Sequence, residues 1–276
     1  MWGIVPAAGR GSRIQPLAFS KELLPVGSRL DEGTERPCAV SEYLLERMVL
    51  GGADKICFVI SPGKSDIMEY FGASYAGAEI AYVIQPDAAG LCDAVFRART
   101  VVDPSEGVLV GLPDTIWFPE GALTDLPDGL LSFLLFPVET PELFDAVVLD
   151  EGDRVREIQV KQPGAASNWV WGAFKMPGGV FRDLYDLWRE RGETDEFFGT
   201  LVNAYLERGG EASGVKAGQA YVDVGTLNGY RAAVGLLTDM AAKGLGRARS
   251  MRSAPRAGTR PAARAAHPLP AKAQVT

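Results

Sequence analysis

The chain has 276 residues, 47% of them hydrophobic, and 28 Lys and Arg against 35 Asp and Glu leave a formal net charge of −7. That is the composition of a soluble globular protein long enough to bury a sizeable core. From Leu245 onward there are seven basic residues and no acid, leaving 21 positive against 35 negative charges before it, so the acidic body excludes an extended basic groove for nucleic acid.

In chain order, Trp2 to Val5 reads as a buried strand that Pro6 ends, leading into the loop Ala7-Ala8-Gly9-Arg10-Gly11-Ser12-Arg13. A polar, Gly-containing segment follows. Pro37 to Leu50 then places apolar groups at helical spacing, stopped by Gly51-Gly52. Lys55 to Ile60 predicts a strand, Ser65 to Phe71 a short helix, Glu79 to Ile84 a strand, Leu91 to Val102 a helix and Gly107 to Leu112 a strand. Strands alternating with helices of this length predict βαβ units in a doubly wound, mostly parallel Rossmann-like sheet.

The second half is richer in strands, expected at Leu131 to Val138, Ala146 to Asp150, Arg154 to Val160 and Trp169 to Met176. Asp150-Glu151-Gly152-Asp153 predicts a hairpin turn. Helices follow at Gly179 to Arg191 and Glu196 to Arg208, then a strand pair around Ala217-Gly218, then a helix from Leu227 to Ala242. The strand-rich part reads as antiparallel insertions into one sheet, giving a single domain over residues 1–244. Residues 245–276, rich in Ala, Arg and Pro without apolar periodicity, are expected to form a disordered basic tail.

The scarcest residue excludes the most chemistry. The one histidine, His267, stands in that tail. Ser-His-Asp or Cys-His catalysis, a His-ligated zinc and an imidazole general base all need one in the packed domain. Cys38, Cys57 and Cys92 form no C-x-x-C pair, which fits a reduced, cytoplasmic protein. A charged N-terminal region and an 18-residue apolar stretch are both lacking, so neither signal peptide nor membrane span is expected.

Three places carry chemistry. Two glycines after the first strand, Gly9 and Gly11, let backbone amides such as those of Ala8, Gly9 and Gly11 approach a polyphosphate, and Arg13 and Lys21 add two cations suited to a triphosphate. The third glycine of a dinucleotide fingerprint is replaced by Ile14. Gly63-Lys64-Ser65 looks like the end of a P-loop, but the first glycine of that motif would fall at Phe58, inside a strand. Asp114 and Asp223 both fall at strand ends, before Thr115 and before Val224-Gly225. Each alone fits an N-cap or turn. Together beside a phosphate loop they are the hard oxygen ligands Mg²⁺ takes.

These motifs, in order from Gly3 to about Gly229, resemble the sugar-1-phosphate nucleotidylyltransferases, the glucose-1-phosphate thymidylyltransferase and bacterial UTP–glucose-1-phosphate uridylyltransferase group. Gly9-Arg10-Gly11-Ser12-Arg13 with Pro16 and Lys21 resembles the family's G-x-G-T-R-x-x-P…P-K signature, with Ser12 for Thr and Ser20 for Pro. Gln85-Pro86 with Gly90-Leu91 resembles its base-reading loop. Asp114 and Asp223-Val224-Gly225-Thr226 resemble its two magnesium motifs. The family's sugar-contacting Glu-Lys-Pro is Val160-Lys161-Gln162 here, followed by Ser167-Asn168; Lys161 can still hold a sugar phosphate, whereas Val160 cannot accept a hydroxyl hydrogen bond.

The resemblance implies transfer of a nucleoside monophosphate from an NTP to a sugar 1-phosphate, glucose 1-phosphate favoured, with release of pyrophosphate. It further implies that Arg13 and Lys21 act on the triphosphate, Asp114 and Asp223 hold Mg²⁺, Lys161 and Asn168 hold the sugar phosphate, and Gln85 and Gly90 hold the base and ribose. Gln85-Pro86 matches the thymidylyl pattern and favours dTTP, while Leu112-Pro113-Asp114 is closer to the uridylyl pattern and keeps UTP as the alternative. A homo-oligomer is compatible with this reading. The competing class is a non-catalytic nucleotide-sugar binding or regulatory protein, which would lack a metal ligand or the loop lysine; here both are present.

Overall fold

The computed structural model describes residues 1–31 and 33–242, so the expected tail, residues 245–276, lies outside the described residues. Strand β1 (Trp2–Pro6) is central because four of its five residues are buried. It pairs in parallel with β4 (Lys55–Ile60) on one side and β7 (Gly107–Gly111) on the other, and β6 (Ala78–Ile84) extends the parallel set beyond β4. Alternation along these strands splits their side chains between two cores. Ile4, Cys57, Val59, Val108 and Val110 pack under α3 (Gly90–Arg97), α4 (Gly178–Glu190) and α5 (Phe198–Glu207). Val5, Ile56, Phe58, Ile60 and Leu109 pack under α1 (Val40–Leu50) and α2 (Ser65–Phe71). Near-continuous apolar strands are what a sheet covered on both faces requires, and the doubly wound α/β architecture follows.

The insertions continue the same sheet. Strand β12 (Trp169–Pro177) runs antiparallel to β7, with Ala173 opposite Gly111. On β12 lie β9 (Leu131–Pro137) and β10 (Asp145–Leu149), both antiparallel, and β11 (Val155–Val160) pairs with β10. The turn at Asp150–Asp153 closes as expected, Asp150 N–H donating to Arg154 O at 2.9 Å. Two-residue β5 (Ser74–Tyr75) borders β6. Because the chain leaves β1 for β4 and β6 and then returns to β7 on the other side, a crevice opens between the carboxyl ends of β1 and β7, the place where such sheets bind ligands.

Four local expectations are corrected. β2 (Pro25–Asp31) and β3 (Thr34–Ala39) pair antiparallel, and α1 therefore begins at Val40, not Pro37. Their charges hid the strands: Arg29 and Arg36 both pair with Glu42, whose side chain is fully buried. The helix expected to reach Val102 ends at Arg97 and continues as a 3-10 turn to Thr100. The strands flanking Ala217-Gly218, β13 (Ala212–Val215) and β14 (Ala220–Asp223), do not pair with each other. β13 lies parallel to β9, and β14 pairs with β8 (Thr115–Phe118), a strand the pattern missed. Strand β8 is short and follows Pro113-Asp114, so it reads as a loop until β14 covers it. Ile116, Val26, Val224 and Ala233 then form a third, smaller core that seats α6 (Leu227–Ala242).

Candidate active site

The loop after β1 is defined by groups that have no partner. None of the backbone N–H groups from Ala8 to Arg13 donates to an acceptor among the described residues, although Ala8 is only 4% exposed. Backbone donors of that kind are normally paired; a run of them at the end of a buried strand forms an anion cradle. Gly11 has φ +62°, and a Cβ there would meet Lys21 Cδ at 2.8 Å. Glycine at 11 thus permits both the turn and the packing of the Lys21 stem along it.

Lys21 is aimed by its surroundings. Its Nζ donates to Asp114 Oδ2 at 2.5 Å. Burial disfavours the ammonium, but Asp114, with Glu22 and Asp223, outweighs this and holds the Lys21 pKa above its ordinary value. Lys64, which the sequence presented as a P-loop look-alike, supports this arrangement from below. Its Nζ donates to Ala7 O at 2.6 Å and to both Glu22 carboxylate oxygens at 2.8 Å. Asp66 accepts from Ser20 N–H at 2.6 Å and from its Oγ at 2.7 Å. The start of α2 therefore clasps the residues on either side of Lys21. Burial pushes the Glu22 carboxyl up and the Lys64 ammonium down, each opposed by the other's charge.

The two aspartates meet because β8 and β14 pair. Asp223 stands opposite Thr115, next to Asp114, and Val224 N–H donates to Asp114 O at 2.8 Å. Gly225 sits between them: a Cβ at this position would lie 2.8 Å from Asp223 Oδ1, 3.1 Å from Arg13 Nη2 and 3.2 Å from Asp114 Oδ2. Gly225 N–H donates to Asp223 Oδ1 at 2.7 Å, and Arg13, largely exposed, reaches Asp223 Oδ2 at 3.4 Å. Burial and the facing Asp114 carboxylate raise the Asp223 pKa despite those donors. Two hard carboxylates converging on one point and repelling each other fit a divalent cation of the Mg²⁺ kind, with the remaining positions left to phosphate oxygens and water.

A cleft of 210 Å³ adjoins this centre, lined by Arg13, Asp114 and Asp223 on one side and by Asp145, Lys161, Trp171 and Phe197 on the other. Lys161 has φ +44°, uncommon for a residue with a Cβ. It is held there by donation from its N–H to Phe144 O at 2.9 Å and by its Nζ 4.4 Å above the Phe197 ring. Asn168 lies apart, exposed just before β12 and outside the cleft lining. Gly90 has φ +93°, and a Cβ on it would strike Glu196 backbone at 2.8 Å, so glycine is required where α3 begins. Gln85, 3% exposed, donates its Nε2 to Asp93 Oδ2 at 2.7 Å and to Gly90 O at 3.2 Å. Its amide therefore has only Oε1 left to offer a ligand. Trp171 is core by burial with its edge at the cleft, while Trp169 lies outside the lining, its ring under Lys216. Asp145, Tyr221 and Phe197 were not foreseen; only Tyr221, two residues before Asp223 on the same strand face, carried a readable signal.

A run of amides without acceptors among the described residues, at the switch point of a doubly wound sheet and facing paired carboxylates, makes this an α/β protein with an anion-binding crevice. The chain belongs to the nucleotidyl transferase family, whose model matches residues 2–239. It is 26% identical over 232 residues to the bifunctional protein GlmU of Methanocaldococcus jannaschii, covering 82% of this chain and 51% of that one, so it spans about half the length of this relative. It is 26% identical over 243 residues to the glucose-1-phosphate thymidylyltransferase of Mycolicibacterium smegmatis, covering 83% of this chain and 79% of that one. The UTP-bound UGPase of Acinetobacter baumannii superimposes with a TM-score of 0.68 at 22% identity, over 89% of this chain and 95% of that one. That likeness extends to the fold.

Proposed function

We propose that the chain transfers a nucleoside monophosphate from a pyrimidine NTP, dTTP favoured and UTP the alternative, to a sugar 1-phosphate, glucose 1-phosphate favoured, releasing pyrophosphate. The observation that carries this is the unpaired amide run from Ala8 to Arg13 beside Lys21 and the Asp114–Asp223 pair. The M. smegmatis relative, named for thymidylyl transfer to glucose 1-phosphate, supports the same reading.

In the proposed reaction an oxygen of the sugar phosphate attacks the α-phosphorus of the NTP in line. The new O–P bond forms as the bond to the β-phosphate oxygen breaks, and pyrophosphate carries away the electron pair. A phosphate monoester is already ionised at neutral pH, so the absence of histidine from the folded body is no obstacle. The amides and Lys21 receive the triphosphate, Arg13 swings from its weak, exposed contact with Asp223 onto the leaving phosphates, and Lys161 holds the incoming phosphate. Mg²⁺ bound by Asp114 and Asp223 supplies neutralisation of the charge that builds on the phosphates. Catalysis is then positioning and charge complementarity, which can lower a barrier by several kcal/mol. Specificity constants for dTTP, UTP, CTP and GTP with glucose 1-phosphate test the donor assignment. The two donors whose base carries an N3–H, thymine and uracil, are expected to lead, and preference for GTP would overturn it.

A further inference from the structure

Across the cleft from the phosphate loop stands a carboxylate that none of the roles above uses. Asp145 opens β10 and is the register partner of Val160, the last residue of β11. Paired residues on antiparallel strands project to the same face. The side chains of both converge beside Gly199 at the start of α5: a Cβ there would lie 2.8 Å from Val160 Cγ2 and 3.4 Å from Asp145 Oδ2. Val160 presents only methyl groups at this spot, so the polar character of the wall rests with Asp145. Asp145 lines the same cleft as Lys161, Trp171 and Asp223. Beside its carboxylate stands the Trp171 indole, whose Nε1–H is buried and completes a well-formed hydrogen bond to no acceptor among the described residues.

We infer, on the footing of the transferase reading, that Asp145 is the specificity residue that accepts a hydrogen bond from a ring hydroxyl of the sugar 1-phosphate. Lys161 is the residue next to Val160, so a phosphate on its ammonium places the sugar ring attached to it against Asp145. A half-buried carboxylate whose neighbours complete no well-formed hydrogen bond to it is unfavourable unless the ligand supplies a further donor. Burial accordingly raises the Asp145 pKa, opposed by the Trp171 indole and the Lys161 charge. A hydroxyl supplies the missing donor. A sugar bearing its own carboxylate supplies repulsion instead, so the acceptor class is neutral hydroxylated sugar 1-phosphates and excludes the uronic acids.

The test compares glucose 1-phosphate with its 2-, 3-, 4- and 6-deoxy analogues and with glucuronic acid 1-phosphate, in wild type, Asp145→Ala, and Asp145→Ala combined with Val160→Glu. In the wild type one deoxy analogue is expected to lose roughly ten- to a hundredfold in kcat/KM, and the uronic acid at least as much. Asp145→Ala is expected to lose a similar factor on glucose 1-phosphate, with KM for the NTP unchanged, and to lose little more on that analogue. Because position 160 faces the same spot, Val160→Glu is expected to recover most of the loss. A wild type that releases pyrophosphate while Asp145→Ala leaves sugar KM and the analogue ranking untouched would overturn this assignment alone. A wild type inactive with every sugar 1-phosphate would overturn the transferase reading as well.

Discussion

At the scale of single residues, the site is marked by groups that lack partners among the described residues, amides from Ala8 to Arg13 without acceptors and a Gln85 oxygen without a donor, and by two aspartates set against each other. Asp223→Asn tests the last of these. The amide Oδ1 can still accept from Gly225 N–H, so the fold should survive, whereas one of the two charges proposed to hold the metal is lost. Turnover is expected to fall by orders of magnitude with the melting temperature within a few degrees of wild type, and a fully active variant would contradict the two-aspartate site. Gln85→Ala is expected to cost about 1–3 kcal/mol of preference for dTTP and UTP over CTP, read from specificity constants, since an Oε1 facing ring position 3 can accept from the N3–H of thymine or uracil but meets an acceptor in cytosine. Asp114 and Asp223 were legible because each stands at or just past the carboxyl end of a strand, and Arg13 and Lys21 because they belong to the glycine-containing segment that follows β1. Asp145 was not legible, because what brings it to the cleft is the β10–β11 register, which puts it opposite a residue fifteen positions later in the chain. The loss of a carboxylate at Val160 could be read in the sequence; the carboxylate on its register partner could not.

At the scale of elements, buried charge decides where the pattern of apolar residues does not. The apolar strands β4 and the amphipathic α2 fell at their predicted bounds, because one buried run and one helical face suffice to define them. Hairpin β2–β3 was concealed because its cohesion is ionic. Glu42 accepts from Arg36, from the Tyr70 hydroxyl at 2.6 Å and from Ala39 N–H at 3.0 Å, and also pairs with Arg29. Burial raises its pKa, but these donors win and hold the carboxyl at about 2. A carboxylate with a depressed native pKa contributes stability that is complete above its unfolded value of about 4.3 and is lost as pH falls toward the native one. Glu42→Gln is therefore expected to cost about 3 kcal/mol at pH 7 by denaturant unfolding, with the gap to wild type closing between about pH 4.5 and pH 2. A gap independent of pH would show that Glu42 acts through packing alone.

At the scale of the whole molecule, one mixed sheet, parallel at its centre, accounts for where the parts of the site lie. The return of the chain across β1 opens the crevice that receives the phosphate loop, β8 and β14 hold the two aspartates at its edge, and the antiparallel insertion builds the opposite wall with Asp145 and Lys161. Alternating strands and helices made that parallel core readable in advance, whereas the pairing of β13 with β9 and β14 with β8 joins segments about 80 to 100 residues apart that no local pattern connects. Division of labour between two walls, one for the nucleotide and one for the sugar phosphate, is the central claim. The measurement that tests it most directly is the rate of pyrophosphate release from dTTP and from UTP, with and without glucose 1-phosphate, in Mg²⁺ and in excess chelator. Release that requires the sugar phosphate and the metal together, with stoichiometric nucleoside diphosphate sugar in the product, is the predicted result. Release at the same rate without the sugar phosphate, or none with any of the four NTPs and a panel of sugar 1-phosphates, would contradict it.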